Sequence, residues 1–357
     1  MRSRLTVVSL ALAMAGTLLY AAPASAARSP FDLPRGADTT VPHLAGRTLH
    51  VGARTYPVPD QSQGGDYRVD YSLIGLDARG RWLIGVDMDM VYQPDEYYYR
   101  YGARERILAV GSAGATTVFD ELSNYGAGGH FRLTRDRTRV VLRWAMTDDD
   151  SFANTDVRVI DLDGRTVAYG NNLHQSLVTL DANANRVVLG GKHGVRARVW
   201  TPGGGARWLT RRHTSFAYLR TGSLGVRGTR HRWAMTTLAR PNRVRWQAWF
   251  VPTRVSPDAK RVAGLAVSRT NGEPLSIVQI RRRSDGRLVR AFSFTHGSAS
   301  GATLAWVGNA SVVFEARETG RSDAVLVRCG TGGSCARVSD ASAASLSFAF
   351  EPDPRGW

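Results

Sequence analysis

The chain has very few lysines, and this scarcity bears on what its positive charge can mean. Of the 47 basic residues in the 357-residue sequence, only Lys192 and Lys260 are lysines, so the formal net charge of +17 comes almost entirely from arginine. The arginines are spread along the chain, whereas a dedicated phosphate-binding tract would cluster them. We therefore expect no specific nucleic-acid partner, and only a general attraction to acidic surfaces.

The sequence also lacks the short motifs of common enzymes. It has no G-x-S-x-G nucleophile turn, no H-E-x-x-H zinc motif and no glycine-rich phosphate loop ending in Lys-Ser or Lys-Thr. Its eight histidines are scattered, without a pair at metal-ligand spacing. We therefore expect no cofactor. Enzymatic activity stays open, although a non-catalytic protein is favoured.

A long apolar run occurs only at the N-terminus. It extends from Leu5 to about Tyr20, follows the positive charges of Arg2 and Arg4, and leads to small residues that end at Ala26. This order is typical of a secretory signal peptide, here residues 1–26; an uncleaved anchor is the alternative. No later segment is apolar enough to span a bilayer. We expect a secreted protein, either released or associated with the cell wall.

Cysteine is almost as scarce as lysine. Only Cys329 and Cys335 are present, separated by the flexible segment Gly-Thr-Gly-Gly-Ser. An even number of cysteines in an exported protein favours a disulfide, which here would join two short strands of a hairpin. A metal site would require more Cys or His nearby than the sequence offers.

A degenerate repeat is the main positive signal. The segments "VSPDAKRV" at 255–262, "LTRDRTRV" at 133–140 and "LDANANRV" at 180–187 align without a gap. In each, Asp258, Asp136 or Asn183 occupies the fourth position, before an arginine and an apolar, β-branched run. Asp and Asn close tight turns between antiparallel strands, because their side chains bond to nearby backbone N–H groups. The repeated feature is therefore a structural turn.

The repeat predicts an all-β protein. Each unit continues into a further strand and a second turn, which gives the four short strands of one propeller blade. We predict a single β-propeller of four-stranded antiparallel blades over 47–357, after a linker at 27–46. The innermost strands are expected near Tyr71, Phe131, Leu177, Phe216, Val251, Leu304 and Leu346.

The number of blades depends on the two ends of the chain. The strand at Leu346 has too few residues after it to complete a blade, and the hairpin at 47–59 is equally incomplete. Joining them would close the ring and remove free sheet edges. We favour seven blades closed by N- and C-terminal strands, with six blades as the alternative.

The "VSPDAKRVAG" turn and strand, repeated behind a signal peptide, resembles the TolB-like or WD40-like β-propellers that bacteria, notably actinobacteria, secrete or keep in their envelopes. The resemblance covers most of the mature chain, but the Gly-His and Trp-Asp signature of eukaryotic WD40 repeats is missing. It implies a binding or scaffold module without catalytic residues. The partner would be an envelope or extracellular protein, or a wall glycan, bound by a monomer.

Two acidic segments are candidate sites. Asp87 and Asp89 alternate along one strand, so both would project from the same face. On an innermost strand they would line the channel and could support acid–base chemistry; on a middle strand they would lie between blades and need arginine partners. The other segment is a weak calcium candidate without the spacing of a known loop, namely Asp148, Asp149, Asp150 and Asp156.

The aromatic residues offer the strongest binding signal. A tyrosine-rich insertion follows Asp89 and contains Tyr92, Tyr97, Tyr98, Tyr99 and Tyr101. Exposed tyrosines could stack on sugars or anchor a peptide, whereas buried ones would cover a blade edge. A second group, Trp233, Trp246 and Trp249, is interpreted as core between blades.

The favoured function is a secreted, non-catalytic propeller that binds a protein or an envelope glycan. The alternative is a propeller-fold glycan hydrolase or lyase that uses channel carboxylates.

Overall fold

The computed structural model describes residues 29–62, 67–90, 103–123, 130–145, 155–171, 173, 178–183, 185–190, 196–228, 230–343 and 346–348. These ranges contain twenty-eight strands and one short 3-10 helix, Pro30–Asp32, which Ser29 caps. Within them, no helix combines the length and the apolar character needed to cross a membrane. The expected signal peptide lies outside the described ranges.

The strands form seven four-stranded antiparallel sheets, which are the blades of a β-propeller. Blade 1 contains, in chain order, β4 (Tyr67–Leu76), β5 (Trp82–Met90), β6 (Ala103–Gly111) and β7 (Gly114–Ser123). Blade 2 contains β8 (His130–Leu133), β9 (Arg139–Ala145), β10 (Thr155–Asp161) and β11 (Thr166–Gly170). Blade 3 contains β12 (Val178–Asn183), β13 (Arg186–Gly190), β14 (Arg198–Thr201) and β15 (Gly205–Trp208).

Blades 4, 5 and 6 follow the same order. Blade 4 contains β16 (Thr214–Tyr218), β17 (Ser223–Arg227), β18 (Trp233–Thr237) and β19 (Trp246–Ala248). Blade 5 contains β20 (Phe250–Val255), β21 (Arg261–Val267), β22 (Pro274–Arg282) and β23 (Leu288–Phe292). Blade 6 contains β24 (Gly297–Val307), β25 (Ser311–Glu318), β26 (Ala324–Gly330) and β27 (Cys335–Arg337).

Blade 7 closes the ring with strands from both ends of the chain. Its innermost strand is β28 (Leu346–Phe348), and its other strands are β1 (His43–Ala45), β2 (Thr48–Val51) and β3 (Arg54–Pro57). The prediction of seven blades closed by N- and C-terminal strands is therefore confirmed, and the six-blade alternative is wrong. Strand β1 begins at His43, within the segment that we expected to be a linker.

The predicted innermost strands agree with the observed ones at six positions, and the seventh, Leu177, lies one residue before β12, outside the described ranges. The apolar core is divided into seven clusters, one between each pair of neighbouring blades. Close packing explains Gly85 of β5, because a Cβ there would lie 2.3 Å from the Phe131 ring of the next blade.

The recurring turn has the chemistry expected of it. The carboxylate of Asp258 accepts hydrogen bonds from the Ser256 hydroxyl at 2.6 Å and from the Lys260 backbone N–H at 3.0 Å. Asp136 accepts the corresponding bonds in blade 2, and Asn183 accepts two backbone N–H bonds in blade 3. These side chains stabilise local turns, which rules them out as candidates for unique acid or base chemistry.

The predicted disulfide is present. Cys329 and Cys335 are directly opposite each other in β26 and β27, and their sulfur atoms are bonded. The bond joins the two outer strands of blade 6.

A stacked histidine pair lies at the ring closure. His43 of β1 is opposite both His50 of β2 and Phe348 of β28, and the two imidazole rings stack with centroids 4.7 Å apart. Burial lowers the pKa of His43 to about 4, an effect that a hydrogen bond to the Val41 carbonyl only partly offsets.

We predict that the closure weakens in mild acid. The unfolded chain binds a proton on His43 near pH 6.5, whereas folded His43 binds one only near pH 4. Lowering the pH from 6.5 to 4 should therefore reduce the free energy of unfolding by about 3 kcal/mol through this residue. His43→Leu should remove this contribution in denaturant titrations, while the exposed control His296→Leu should retain it. Equal pH slopes for the two variants would contradict the prediction.

We also predict that an amide can replace Asp258 but a methyl group cannot. Asp258→Asn keeps an oxygen acceptor for the Lys260 N–H, so its free energy of unfolding should change by less than about 0.5 kcal/mol. Asp258→Ala removes the acceptor and should cost about 1 kcal/mol. Denaturant unfolding of the two variants tests this. An asparagine as damaging as alanine would argue against the turn interpretation.

Candidate functional site

The two faces of the ring differ in which connections they carry. Because the strands of a blade are antiparallel, the connections from the second to the third strand, and from one blade to the next, all lie on one face, which we call the loop face. The turns after the first and third strands, including the Asp258 turn, lie on the opposite face, which we call the turn face. Departures from the repeat on the loop face are the first place to search for a site.

Four cross-strand pairs recur at the loop face of blades 1 to 4. In blades 1 to 3, an arginine of the third strand is directly opposite an apolar side chain of the fourth strand. In blade 4, an arginine just before the third strand lies over a tryptophan just beyond the fourth strand. The pairs are Arg104 with Leu122, Arg158 with Tyr169, Arg198 with Trp208, and Arg232 with Trp249. We call these eight residues the arginine rim.

The arginine rim has a consistent orientation. Arg104, Arg158 and Arg198 are in register with Met88, Leu142 and Leu189. Each of those three residues belongs to the core cluster shared with the preceding blade. Directly opposite residues share a sheet face, so the rim pairs of these blades lie along the outer ends of the inter-blade grooves.

Three of the four apolar members of the rim are exposed. Leu122, Tyr169 and Trp208 are 58%, 50% and 46% accessible to solvent. Of the five exposed large apolar side chains in the described ranges, four lie on the outermost strands of blades 1 to 3; the fourth of these is Val167. Large exposed apolar groups concentrated on one side of a protein are typical of a binding surface.

Ion pairs and hydrogen bonds hold the first two rim pairs. Arg104 binds both carboxylate oxygens of Asp120, at 2.6 and 2.7 Å. Burial would raise the pKa of Asp120, but hydrogen bonds from Arg104 and from its neighbour Arg106 outweigh this and lower it.

In blade 2, Arg158 pairs with Glu121 of blade 1 and lies 5.3 Å from the centre of the Tyr169 ring. The Tyr169 hydroxyl donates to Asp156 at 2.6 Å. The Tyr169 side chain is therefore held in position, although half of its surface is exposed. A side chain that is already held loses little conformational entropy when a partner binds.

Arginine–tryptophan stacking dominates the other two pairs. The guanidinium of Arg198 lies 4.4 Å from the centre of the Trp208 ring. Trp249 is contacted by two arginines, Arg232 at 4.1 Å and Arg269 of blade 5 at 4.4 Å. Such cation–π contacts orient both groups.

The tryptophans interpreted as core from the sequence have different environments. Trp246 is buried near Phe250, in agreement with that interpretation, but Trp233 and Trp249 are only partly buried. The signal missed in the sequence was the recurrence of an arginine opposite an apolar residue. Aligning the third and fourth strands of successive blades would have found it.

Asp87 lies between blades. It belongs to β5, the second strand of blade 1, so it does not line the channel, and it is opposite Asp70 on one side and Glu105 on the other. Its charge partly offsets the effect of burial on Arg143 of blade 2, which lowers the pKa of that guanidinium to about 10. The structure thus matches the middle-strand expectation, in which the carboxylate needs an arginine. Asp87 is not available as a channel carboxylate for glycan cleavage.

The remaining candidates are only partly described. The backbone of Asp89 continues β5, but its side chain lies outside the described residues, as do Tyr92, Tyr97, Tyr98, Tyr99 and Tyr101 and the acidic residues Asp148, Asp149 and Asp150. The strand ends that flank the tyrosine-rich segment, Met90 and Ala103, lie on the loop face next to Arg104. Where side chains are described, no three His, Cys, Asp or Glu residues form a metal-binding group.

Comparisons with known proteins give no family. No family model matches the chain, and no curated protein matches it in sequence. Among solved structures, BamB from Moraxella catarrhalis has 16% sequence identity and a TM-score of 0.46, over 88% of this chain and 91% of that one. An oligogalacturonate lyase from Vibrio parahaemolyticus has 9% identity and a TM-score of 0.42, over 79% and 95%. Similarities this distant concern the fold alone.

We predict that Asp87 contributes to stability through Arg143. Asp87→Asn removes the negative charge that helps to keep the buried Arg143 protonated, so the free energy of unfolding should fall by about 1 kcal/mol or more. The matched control is Asp70→Asn, which changes an exposed carboxylate in the same cross-strand row and should have a smaller effect. Denaturant unfolding compares the two, and equal losses would disprove a specific role for Asp87.

Proposed function

We propose that this protein is an exported, non-catalytic β-propeller of the TolB-like or WD40-like type. In this proposal it is a monomer that binds another macromolecule of the envelope or its surroundings through the arginine rim. The observation that carries the proposal is the recurrence of an arginine beside an exposed apolar side chain at the same edge of consecutive blades.

The chemistry of the rim favours a protein partner. Arginine and large aromatic residues are enriched at protein interfaces and supply most of the binding energy there. The Tyr169 ring is held by a hydrogen bond, and the Trp208 ring by a stacked guanidinium, so little side-chain entropy remains to be lost on binding. A wall glycan that stacks on the same rings is the second class of partner compatible with this surface.

The charge of the rim favours an acidic partner surface. Arg104 and Arg158 already pair with Asp120 and Glu121. By contrast, Arg198, Arg232 and Arg269 form no ion pair with any carboxylate that the structure describes. The unneutralised charge is therefore concentrated at blades 3 to 5, where acidic groups of a partner would find complementary charge.

The test is to remove the two exposed aromatic rings of the rim together. Tyr169→Ala with Trp208→Ala should weaken capture of the envelope partner about tenfold or more, because hot-spot side chains dominate binding. The free energy of unfolding should fall by no more than about 2 kcal/mol, since both rings are half exposed and the main loss is the hydrogen bond from Tyr169 to Asp156. Affinity capture from an envelope extract, followed by identification of the captured partner and titration with it, measures the loss.

Two controls make the result specific. Leu275→Ala removes an exposed apolar side chain from blade 5, outside the rim, and should bind like the wild type. Capture at low and high salt separates the partner from material held by general arginine charge, which salt screens. If the rim variant and Leu275→Ala bind equally well, the rim is not the binding surface.

The tyrosine-rich segment provides an independent arm of the same experiment. Replacing Tyr97, Tyr98 and Tyr99 by Ala should also weaken capture while leaving thermal stability nearly unchanged, since the strands that flank the segment end beside Arg104. A large loss of stability would instead place these tyrosines in packed core.

A further inference from the structure

A basic cleft opens on the turn face, on the side of the ring opposite the arginine rim. Its volume is about 470 Å³, and it lies between blades 3 and 4. The lining residues are Arg186, Thr221, Gly222, Thr237, Leu238, Ala239 and Arg245. The described lining thus offers two arginines and two threonine hydroxyls, without a carboxylate among them, around a space within the size range of small-molecule sites.

A third arginine lies at the edge of this cleft. Arg283, in the turn after the third strand of blade 5, donates a hydrogen bond to the Ser223 hydroxyl at 2.9 Å. The Thr221 hydroxyl, which lines the cleft, donates to the same Ser223 oxygen at 2.8 Å. Burial lowers the pKa of Arg283, and the nearby charge of Arg245 lowers it further. Arg245 and Arg283 are therefore close enough to repel each other.

These arginines have no internal counter-charge among the described residues. Other arginines of this protein pair with an Asp or Glu within 4 Å, as Arg81 pairs with Asp77 and Arg321 pairs with Asp323. None of Arg186, Arg245 and Arg283 forms such a pair in the described part of the chain. Like charges held together without a carboxylate destabilise the protein, unless an anion from outside binds between them.

The three arginines come from three consecutive blades. Arg186 begins β13 of blade 3, Arg245 precedes β19 of blade 4, and Arg283 follows β22 of blade 5. Their approach is thus a product of the ring and not of a local basic run. The backbones that carry them are well fixed: the Arg283 carbonyl accepts from the Trp246 indole, and the Arg245 N–H donates to the Met235 carbonyl. The backbone positions of these arginines are therefore preorganised for recognition of a small anion.

We propose that this cleft binds a phosphate group carried by a small polyol or sugar, with Arg186 and Arg245 on the phosphate oxygens. The hydroxyls of Thr221 and Thr237 supply further hydrogen bonds, and Leu238 supplies an apolar contact for the carbon skeleton. Arg283 is a positioning residue, because it holds the Thr221–Ser223 turn. The site is independent of the arginine rim, so either proposal can fail without the other.

The experiment is calorimetric titration of the purified protein at constant ionic strength. The probes are glycerol 3-phosphate, inorganic phosphate, and glycerol as the uncharged control. Glycerol 3-phosphate should bind more tightly than inorganic phosphate, and glycerol should not bind. Equal binding of both phosphates would assign the site to the free anion and overturn the polyol part of the proposal. If neither glycerol 3-phosphate nor inorganic phosphate binds, the proposal is overturned entirely.

Two variants locate the binding. Arg186→Gln and Arg245→Gln should each weaken glycerol 3-phosphate binding about tenfold or more, because each removes a charge-assisted hydrogen bond. The matched control is Arg287→Gln, which changes an exposed arginine on the turn face of blade 5 that lies outside the cleft. Thermal unfolding verifies that all three variants fold. Equal loss in the control would show that only general positive charge attracts the anion.

Discussion

The pairing of β28 with β1 is the interaction on which the rest of this structure depends. Three residue pairs, from His43 opposite Phe348 to Ala45 opposite Leu346, join the C-terminal strand to the N-terminal ones. Every apolar cluster lies between two blades, so an open ring would leave one face of blade 1 and one face of blade 6 uncovered. The closing contacts extend into blade 1, where the Leu73 N–H donates to Ser347.

Ring closure also determines which surfaces can vary. The turn face is built from short turns that Asp and Asn side chains hold through local hydrogen bonds, and these recur because each blade meets the same geometric need. The strand ends joined by the longer connections, which include the tyrosine-rich insertion and the acidic segment at 146–154, lie on the loop face. The arginine rim follows this face in blades 1 to 4. In blade 5 the pair at this end of the two outer strands, Val278 opposite Phe292, faces blade 6 and is buried.

The positive charge has a different meaning in three dimensions from the one suggested by the sequence. Spread along the chain, the arginines give no sign of a binding tract. In the folded protein, some bind carboxylates, as Arg104 binds Asp120, and others stack on aromatic rings, as Arg198 stacks on Trp208. Of a third group, Arg186 and Arg245 line one cleft, and Arg283 bonds to Ser223 at its edge. The propeller brings arginines that are far apart in the chain into neighbouring positions on one face, which an inspection of consecutive residues does not detect.

The sequence by itself determined the features that depend on local chemistry. Asp258 and Asp136 marked the turns because each bonds to backbone groups two residues away, and the even cysteine count predicted the bond between Cys329 and Cys335. It also favoured seven blades, since the strands at each end of the chain form only part of a blade. Only the tertiary structure decided that Asp87 lies between blades, that three rim arginines adjoin exposed apolar groups, and that two other arginines line one cleft with a third at its edge. Those placements arise from packing between residues far apart in the chain, and a local sequence pattern carries no information about which distant residues come together in space.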